Sequence, residues 1–137
     1  MKYYHIAFVG MGSIGKRHLK NVCQLIASQG DTCSIDLYRS SMTRELSEEV
    51  KELVANQYLC SQDVLREYDM VFITNPTSLH LETAVKFRPY AKAFFIEKPV
   101  FSISDVEEST IAFLDGIPSY VACPLRYNPV LQYVKQH

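Results

Sequence analysis

A doubly wound α/β fold with a mainly parallel sheet is the architecture this sequence predicts, and three observations predict it. Short apolar runs alternate with stretches of helical spacing along the chain. The clearest runs, Ile6-Ala7-Phe8-Val9 and Met70-Val71-Phe72-Ile73, are continuously apolar, as strands buried on both faces require. Gly10, Pro76 and Pro99 stand just past such runs, where the chain must turn.

The elements follow in order. Ile6 to Val9 reads as a first strand closed by Gly10. From Ser13 to Ser28, apolar residues recur at Ile14, Leu19, Val22, Cys23, Leu25 and Ile26, which is helical spacing, and Gly30-Asp31 ends it. Ser34 to Tyr38 reads as a second strand and Arg44 to Ala55 as a second helix, through Leu46, Val50, Leu53 and Val54. Tyr58-Leu59-Cys60 suits a short strand, and Asp63 to Glu67 fits one or two helical turns. Asp69 to Thr74 is a strong strand ended by Asn75-Pro76. Thr77 to Phe87 is helical, with Thr77 or Ser78 able to cap it. Ala93 to Ile96 is a fifth strand, Ser104 caps a helix to about Leu114, Tyr120 to Ala122 is a sixth strand, and Val130 to Gln136 opens a last helix.

Composition bounds the function. The 137 residues suit one domain, and 47% hydrophobic with 21% charged residues is ordinary for a globular chain. A net charge of -1 argues against a nucleic-acid surface. Cys23, Cys33, Cys60 and Cys123 are scattered, without the spacing of a metal site or a disulfide framework. No apolar run approaches the roughly 20 residues that span a bilayer. No signal peptide is evident at Met1 to His5, so a cytoplasmic protein without membrane partners is expected.

Gly10-Met11-Gly12-Ser13-Ile14-Gly15 matches G-x-G-x-x-G between a strand and a helix, the context the dinucleotide-binding fingerprint of the Rossmann fold needs. Gly10 permits a tight turn, Gly12 lets a pyrophosphate approach the backbone, and Gly15 lets helix and strand pack closely. The helix N-terminus then faces the anion with free N–H groups and its positive dipole end. A plain glycine turn is the bland reading. After the second strand, Arg39 with Ser40 and Ser41 replaces the acidic residue that would favour NAD. An arginine fork suits a 2′-phosphate, so NADP is favoured over NAD, unless Arg39 is only a solvated surface residue. Asp36 is a second candidate for the ribose, should the strand end earlier. Thr74, Asn75 and Pro76 lie at a strand's carboxyl end, where ligands of open α/β sheets bind. Lys16, Arg17 and His18 are read as facing solvent or neighbouring loops.

The run GMGSIGKRHLKNV from Gly10 to Val22 resembles the opening of the Gfo/Idh/MocA oxidoreductases (glucose–fructose oxidoreductase, inositol dehydrogenase and relatives). Thr74-Asn75-Pro76-Thr77-Ser78-Leu79-His80 is similar to the family's segment after the fourth strand, and Glu97-Lys98-Pro99 to its E-K-P signature after the fifth. Cys123 to Pro129 is similar to the stretch where members leave the Rossmann domain. The resemblance implies that Lys98 is catalytic, exchanging a proton with a substrate hydroxyl or carbonyl while touching the cofactor. It places Glu97 near the nicotinamide ribose, adds His80 to the cofactor contacts, and implies that the Lys98–Pro99 bond is cis. Arg126 is a candidate for the nicotinamide side or, equally, for an interdomain salt bridge.

The resemblance divides the chain into a dinucleotide-binding domain over residues 1–122 and, over 123–137, the start of a substrate and dimerisation domain that is cut short. The whole protein would then be a homo-oligomeric NAD(P)-dependent dehydrogenase moving hydride to or from a sugar or cyclitol, and this chain alone would bind cofactor without turnover. A non-catalytic NAD(P) sensor is the alternative, but a sensor has no need of a proton-transfer lysine. A methyltransferase using S-adenosylmethionine would leave Glu97-Lys98-Pro99 unexplained.

Overall fold

The computed structural model describes residues 1–102, 112–122 and 128–136. Six strands, β1 (Tyr3–Val9), β2 (Thr32–Arg39), β3 (Asn56–Leu59), β4 (Met70–Ile73), β5 (Phe94–Ile96) and β6 (Ser119–Val121), form one sheet. Its order is β3-β2-β1-β4-β5-β6, and every neighbouring pair is parallel. The described α-helices are α1 (Ser13–Ser28), α2 (Glu48–Leu53), α3 (His80–Phe87) and α4 (Pro129–Gln136). The chain walks outward from β1 to β3, then returns to the other side of β1 with β4. That reversal opens a crevice at the carboxyl ends of β1 and β4, the place where doubly wound sheets bind ligands.

Two apolar layers hold the sheet, one per face. Successive residues of a strand point to opposite faces, so β1 divides its run. Ile6 and Phe8 join Ile35, Leu37 and Phe72 beneath Leu19 and Ile26 of α1. Ala7 and Val9 join Tyr38, Val71, Ile73, Phe94 and Ile96 beneath Ala84 and Phe87 of α3. Leu19 and Ile26 lie two turns apart on α1, and Ala84 and Phe87 one turn apart on α3, so each helix buries one stripe. Phe8 and Phe72 stack face to face across β1 and β4, with ring centroids 4.4 Å apart.

The doubly wound parallel fold is as the sequence predicts, with local differences. The strands reach further than their apolar runs because register with a neighbour extends them: Tyr3 pairs with Thr32, and Arg39 with Leu59. Helix α2 begins only at Glu48, with Ser47 as its cap residue. The helical turns expected over Asp63–Glu67 do not form. Val64 alone of that segment is buried while Leu65 is 87% exposed. The following backbone is drawn into sheet-like pairing, Tyr68 bridging Ala91 and donating its N–H to Tyr90. The helix expected from Thr77 starts as a 3-10 turn over Thr77–Leu79 and becomes α-helical at His80, without a side-chain cap from Thr77 or Ser78. Of the helix expected from Ser104, residues 103–111 lie outside the described part and Ala112–Leu114 form a 3-10 turn. Among the described residues no helix is long and apolar enough to cross a membrane.

Candidate functional site

The carboxyl edge of the sheet carries a cleft of about 1130 Å3, walled on one side by Gly10 to Ser13 and on the other by Asn75, Pro76, Leu79 and the Glu82–Thr83 face of α3. Its shape follows from the glycines. Gly10 has φ +87, and a Cβ there would meet the Asn75 backbone at 2.7 Å. Only glycine permits both the left-handed turn and that approach. Its N–H donates to the Tyr38 carbonyl at 2.9 Å, so the loop leaves β1 pinned to β2. A Cβ on Gly15 would meet Thr74 Oγ1 at 2.8 Å, so α1 sits directly on the end of β4. The Thr74 hydroxyl in turn donates to the Gly10 carbonyl at 2.9 Å. At Gly12, by contrast, a Cβ would meet nothing within 4 Å.

Gly12 is the cap residue of α1 and offers no side chain, and α1 has no acidic residue in its first turn. The N–H of Lys16 is the first to find a carbonyl four residues back, that of Gly12. The amides just before it therefore lack helical acceptors and face the cleft end with the positive end of the helix dipole. Asn75 adds an acceptor. Its Nδ2 donates to Thr83 Oγ1 at 2.9 Å, while its buried Oδ1 has no partner among the described residues. A buried acceptor left unmet suits a ligand that brings an N–H or O–H.

The second strand delivers Arg39, Ser40 and Ser41 to the same cleft, with Arg44 beside them. The Arg39 guanidinium donates to Gln57 Oε1 at 3.0 Å and to the carbonyl of Arg44. These partners, and Met42 Sδ at 3.8 Å, are neutral, so among the described residues its charge pairs with no carboxylate. Lys16 also lines the cleft and binds Glu49 at 3.1 Å, as does Lys20 at 2.6 Å. These two ammonium groups hold the Glu49 carboxyl below its ordinary range. On the α3 side, Lys86 donates to the carbonyls of Cys60 and Gln62 and fixes the loop after β3 against the cleft. Burial pushes the Cys60 thiol up, which keeps it protonated and unreactive at that wall.

Asp36 is not available to a ribose. β2 runs on to Arg39, and Asp36 is 1% exposed inside it. Tyr68 donates its hydroxyl to Oδ2 at 2.8 Å, and Asn56 donates to Oδ1 at 2.9 Å. Burial, Tyr38 and Asp36 together push the Tyr68 hydroxyl far above its ordinary range, so it stays a donor.

The remaining candidates gather beyond the cleft, at the end of β5. Lys98 is exposed, with no hydrogen bond or ion pair among the described residues, and its bond to Pro99 is cis. Glu97 turns toward α1, where His18 Nε2 lies 2.8 Å from its Oε2. Of the two alternatives read for His18, solvent or a neighbouring loop, the structure shows the loop: its side chain is 19% exposed, it meets Glu97 after β5, and its ring meets the edge of Phe95. The signal was present, since His18 sits one turn from both Ile14 and Val22, on the apolar stripe of α1. Lys16 is likewise a cleft residue and not merely a solvated one. His80 is buried at 1% exposure beneath the floor and does not line the cleft. Ile14 is 37% exposed on α1. Arg126, with Cys123 to Tyr127, lies outside the described residues.

A roomy cleft, helix amides without helical acceptors and the unmet Asn75 acceptor gather at the switch point of a 3-2-1-4-5-6 sheet, where a nucleotide would fit, and comparison with known proteins points the same way. The profile of the Gfo/Idh/MocA group, described as an oxidoreductase family with an NAD-binding Rossmann fold, matches residues 4–112. The chain belongs to this family. An uncharacterized oxidoreductase, YrbE of Bacillus subtilis strain 168, is 27% identical over 131 residues, covering 93% of this chain and 37% of its own. The structure of scyllo-inositol dehydrogenase from Lactobacillus casei with bound NAD(H) and scyllo-inositol is 25% identical. It superposes with a TM-score of 0.75 over 98% of this chain and 40% of that one. The WlbA dehydrogenase of Chromobacterium violaceum, in complex with NADH and UDP-GlcNAcA, is similar in fold alone: 20% identity and a TM-score of 0.77, over 98% of this chain and 39% of that one. The chain thus spans about two-fifths of these relatives' length and is an NAD-binding Rossmann domain of the Gfo/Idh/MocA family.

Proposed function

We propose that this domain serves an NAD(P)-dependent dehydrogenase acting on a hydroxyl- or carbonyl-bearing carbon of a sugar or cyclitol. The observation that carries the reading is the pairing of the Gly10–Ser13 cleft with an unengaged Lys98 two strands away. When bound, the nicotinamide cofactor supplies or accepts the hydride. The chain's own groups bind and orient it. Amides from Met11 through Gly15 take the diphosphate, with Gly10 shaping the turn and Gly12 leaving it room. Thr74 and Pro76 hold the floor of the crevice, while Asn75 Oδ1 accepts from a cofactor hydroxyl or amide. Lys98, free to swing toward a substrate oxygen, exchanges the proton that accompanies hydride transfer. Glu97 acts through its His18 partner to hold the strand end near the nicotinamide ribose.

The same reading favours NADP over NAD. It is supported by Arg39, whose uncompensated fork stands in the cleft with Ser40, Ser41 and Arg44. Against it, the two dehydrogenase structures above hold NAD(H) and NADH. The reading also takes the whole protein to be a cytoplasmic homo-oligomer, with residues 1–122 as cofactor domain and 123–137 opening a substrate domain. Exposed Val130, Leu131 and Val134 on α4 suit a helix that further chain would cover.

Calorimetric titration of the chain with NADPH and with NADH tests this. Both are expected to bind, NADPH the tighter. Arg39→Asp should weaken NADPH by at least about tenfold, the worth of one charge-assisted hydrogen bond, and leave NADH nearly unchanged. Heat from neither dinucleotide would end the cofactor reading, and NADH binding as well as NADPH would end the role given to Arg39.

A further inference from the structure

Three carbonyl oxygens converge on one buried imidazole. His80, at the first position of α3, is 1% exposed. Its Nε2 lies 2.7 Å from the carbonyl oxygen of Asn75. Its Nδ1 lies 2.9 Å from the carbonyl oxygen of Val100 and 3.1 Å from that of Pro99. A carbonyl oxygen only accepts, so the ring holds a loop by donating an N–H, and the tautomer sets which nitrogen carries it. The buried ring is wedged between the carbonyls of both loops whichever nitrogen donates.

The carbonyls belong to two separate loops. Asn75 follows β4 and packs on Gly10, so it moves with the glycine loop. Pro99 and Val100 follow β5 in the turn that carries Lys98. No other hydrogen bond or ion pair described between residues 74–76 and 98–100 joins these two loops. We propose that His80 is a positioning residue whose buried ring, set between the two loops, ties the Lys98 turn to the Asn75 loop, so that cofactor in the cleft fixes where Lys98 stands. The functional consequence rests on the cofactor and Lys98 roles proposed above; the tie itself does not. Its worth is geometric, since a proton-transfer group must be held within fractions of an ångström of the reacting atoms.

Nitrogen NMR of the wild-type chain, uniformly labelled with 15N, reads the ring directly. The His80 ring N–H is expected to exchange slowly with solvent, as a buried donor held on a loop carbonyl does. Rapid exchange of that proton would overturn the proposal, and this measurement needs no variant to fold. A titration with NADH, followed by backbone amides, then tests the coupling. In the wild type the amides of Gly12 and Val100 should both shift. In His80→Phe, which keeps a ring and removes its polar nitrogens, Gly12 should still shift while Val100 falls silent. A Val100 response that survives in the variant would refute the tie. If NADH moves no amide of the wild type, the cofactor reading fails instead, and the ring nitrogens alone decide the role of His80.

Discussion

The two edges of this sheet are built to different ends. At the amino edge the loop carboxylates Asp31 and Asp69 are met by protein donors. The Lys2 amide donates to Asp31 at 2.8 Å, the His5 amide donates to Asp69 at 2.9 Å, and Lys92 donates to the same carboxylate at 3.0 Å. At the carboxyl edge the helix amides after Gly12, the Asn75 Oδ1 atom and the Lys98 ammonium are left for something else. An unmet buried polar group costs stability, so leaving several on one edge marks that edge for a ligand. Substitutions at the amino edge should therefore move stability alone, and those at the carboxyl edge should move binding.

Gly10 is where that division should break, with the largest effect. It belongs to the binding edge, yet its φ of +87 and the 2.7 Å approach to the Asn75 backbone make it a structural keystone as well. Gly10→Ala should lower the unfolding free energy by about 3 kcal/mol, combining backbone strain with a clash against main chain that cannot yield. The midpoint of urea unfolding reads this directly. An unfolding curve within error of the wild type would mean that the loop is far more pliant than its geometry says.

Gly12 should restore the division. Nothing lies within 4 Å of its would-be Cβ, and its backbone is extended, so a side chain fits there without strain. Gly12→Val should cost only about 1 kcal/mol of stability, through a poorer helix cap. The same side chain would stand where the diphosphate approaches, and NADH affinity should fall about a hundredfold, near 2.7 kcal/mol. Calorimetry beside urea unfolding separates the two. Unchanged affinity would place the diphosphate elsewhere.

These glycines also show how much the sequence could say. The glycine loop is a local device: three glycines, a strand before and a helix after are all within one window, so the turn, the close packing and the open position were legible together. The parallel sheet followed from continuous apolar runs such as those of β1 and β4. What escaped was long-range. His18 and Glu97 meet across 79 residues, and Tyr68 reaches Asp36 across 32, separations no periodicity reports. The residues from Asp63 to Glu67 read as helix because charge and apolar spacing fit one. Their conformation is decided by Tyr68 bridging Ala91 instead. Asp36 looked like a ribose ligand because its partners, buried Tyr68 and exposed Asn56, lie on other strands and loops.

The smallest expected effect lies at the amino edge and is a matter of pH. Burial alone would push the Asp69 carboxyl up, but the His5 amide and the Lys92 ammonium outweigh it and hold it below its ordinary value of 3.8. A group whose folded pKa is depressed lends stability above its unfolded pKa and loses it as pH falls through the folded one. Asp69 should therefore support the fold fully at neutral pH and lose its contribution only below about pH 3.8. Its side chain is 29% exposed, so screening by solvent holds the effect to about 1 kcal/mol. Asp69→Asn should lower the urea midpoint slightly at neutral pH, and the difference from wild type should vanish in acid. NADH affinity should not change, because Asp69 stands at the far edge of the sheet from Gly12. A loss of NADH binding in this variant would break the separation of the two edges more sharply than any result at the cleft itself.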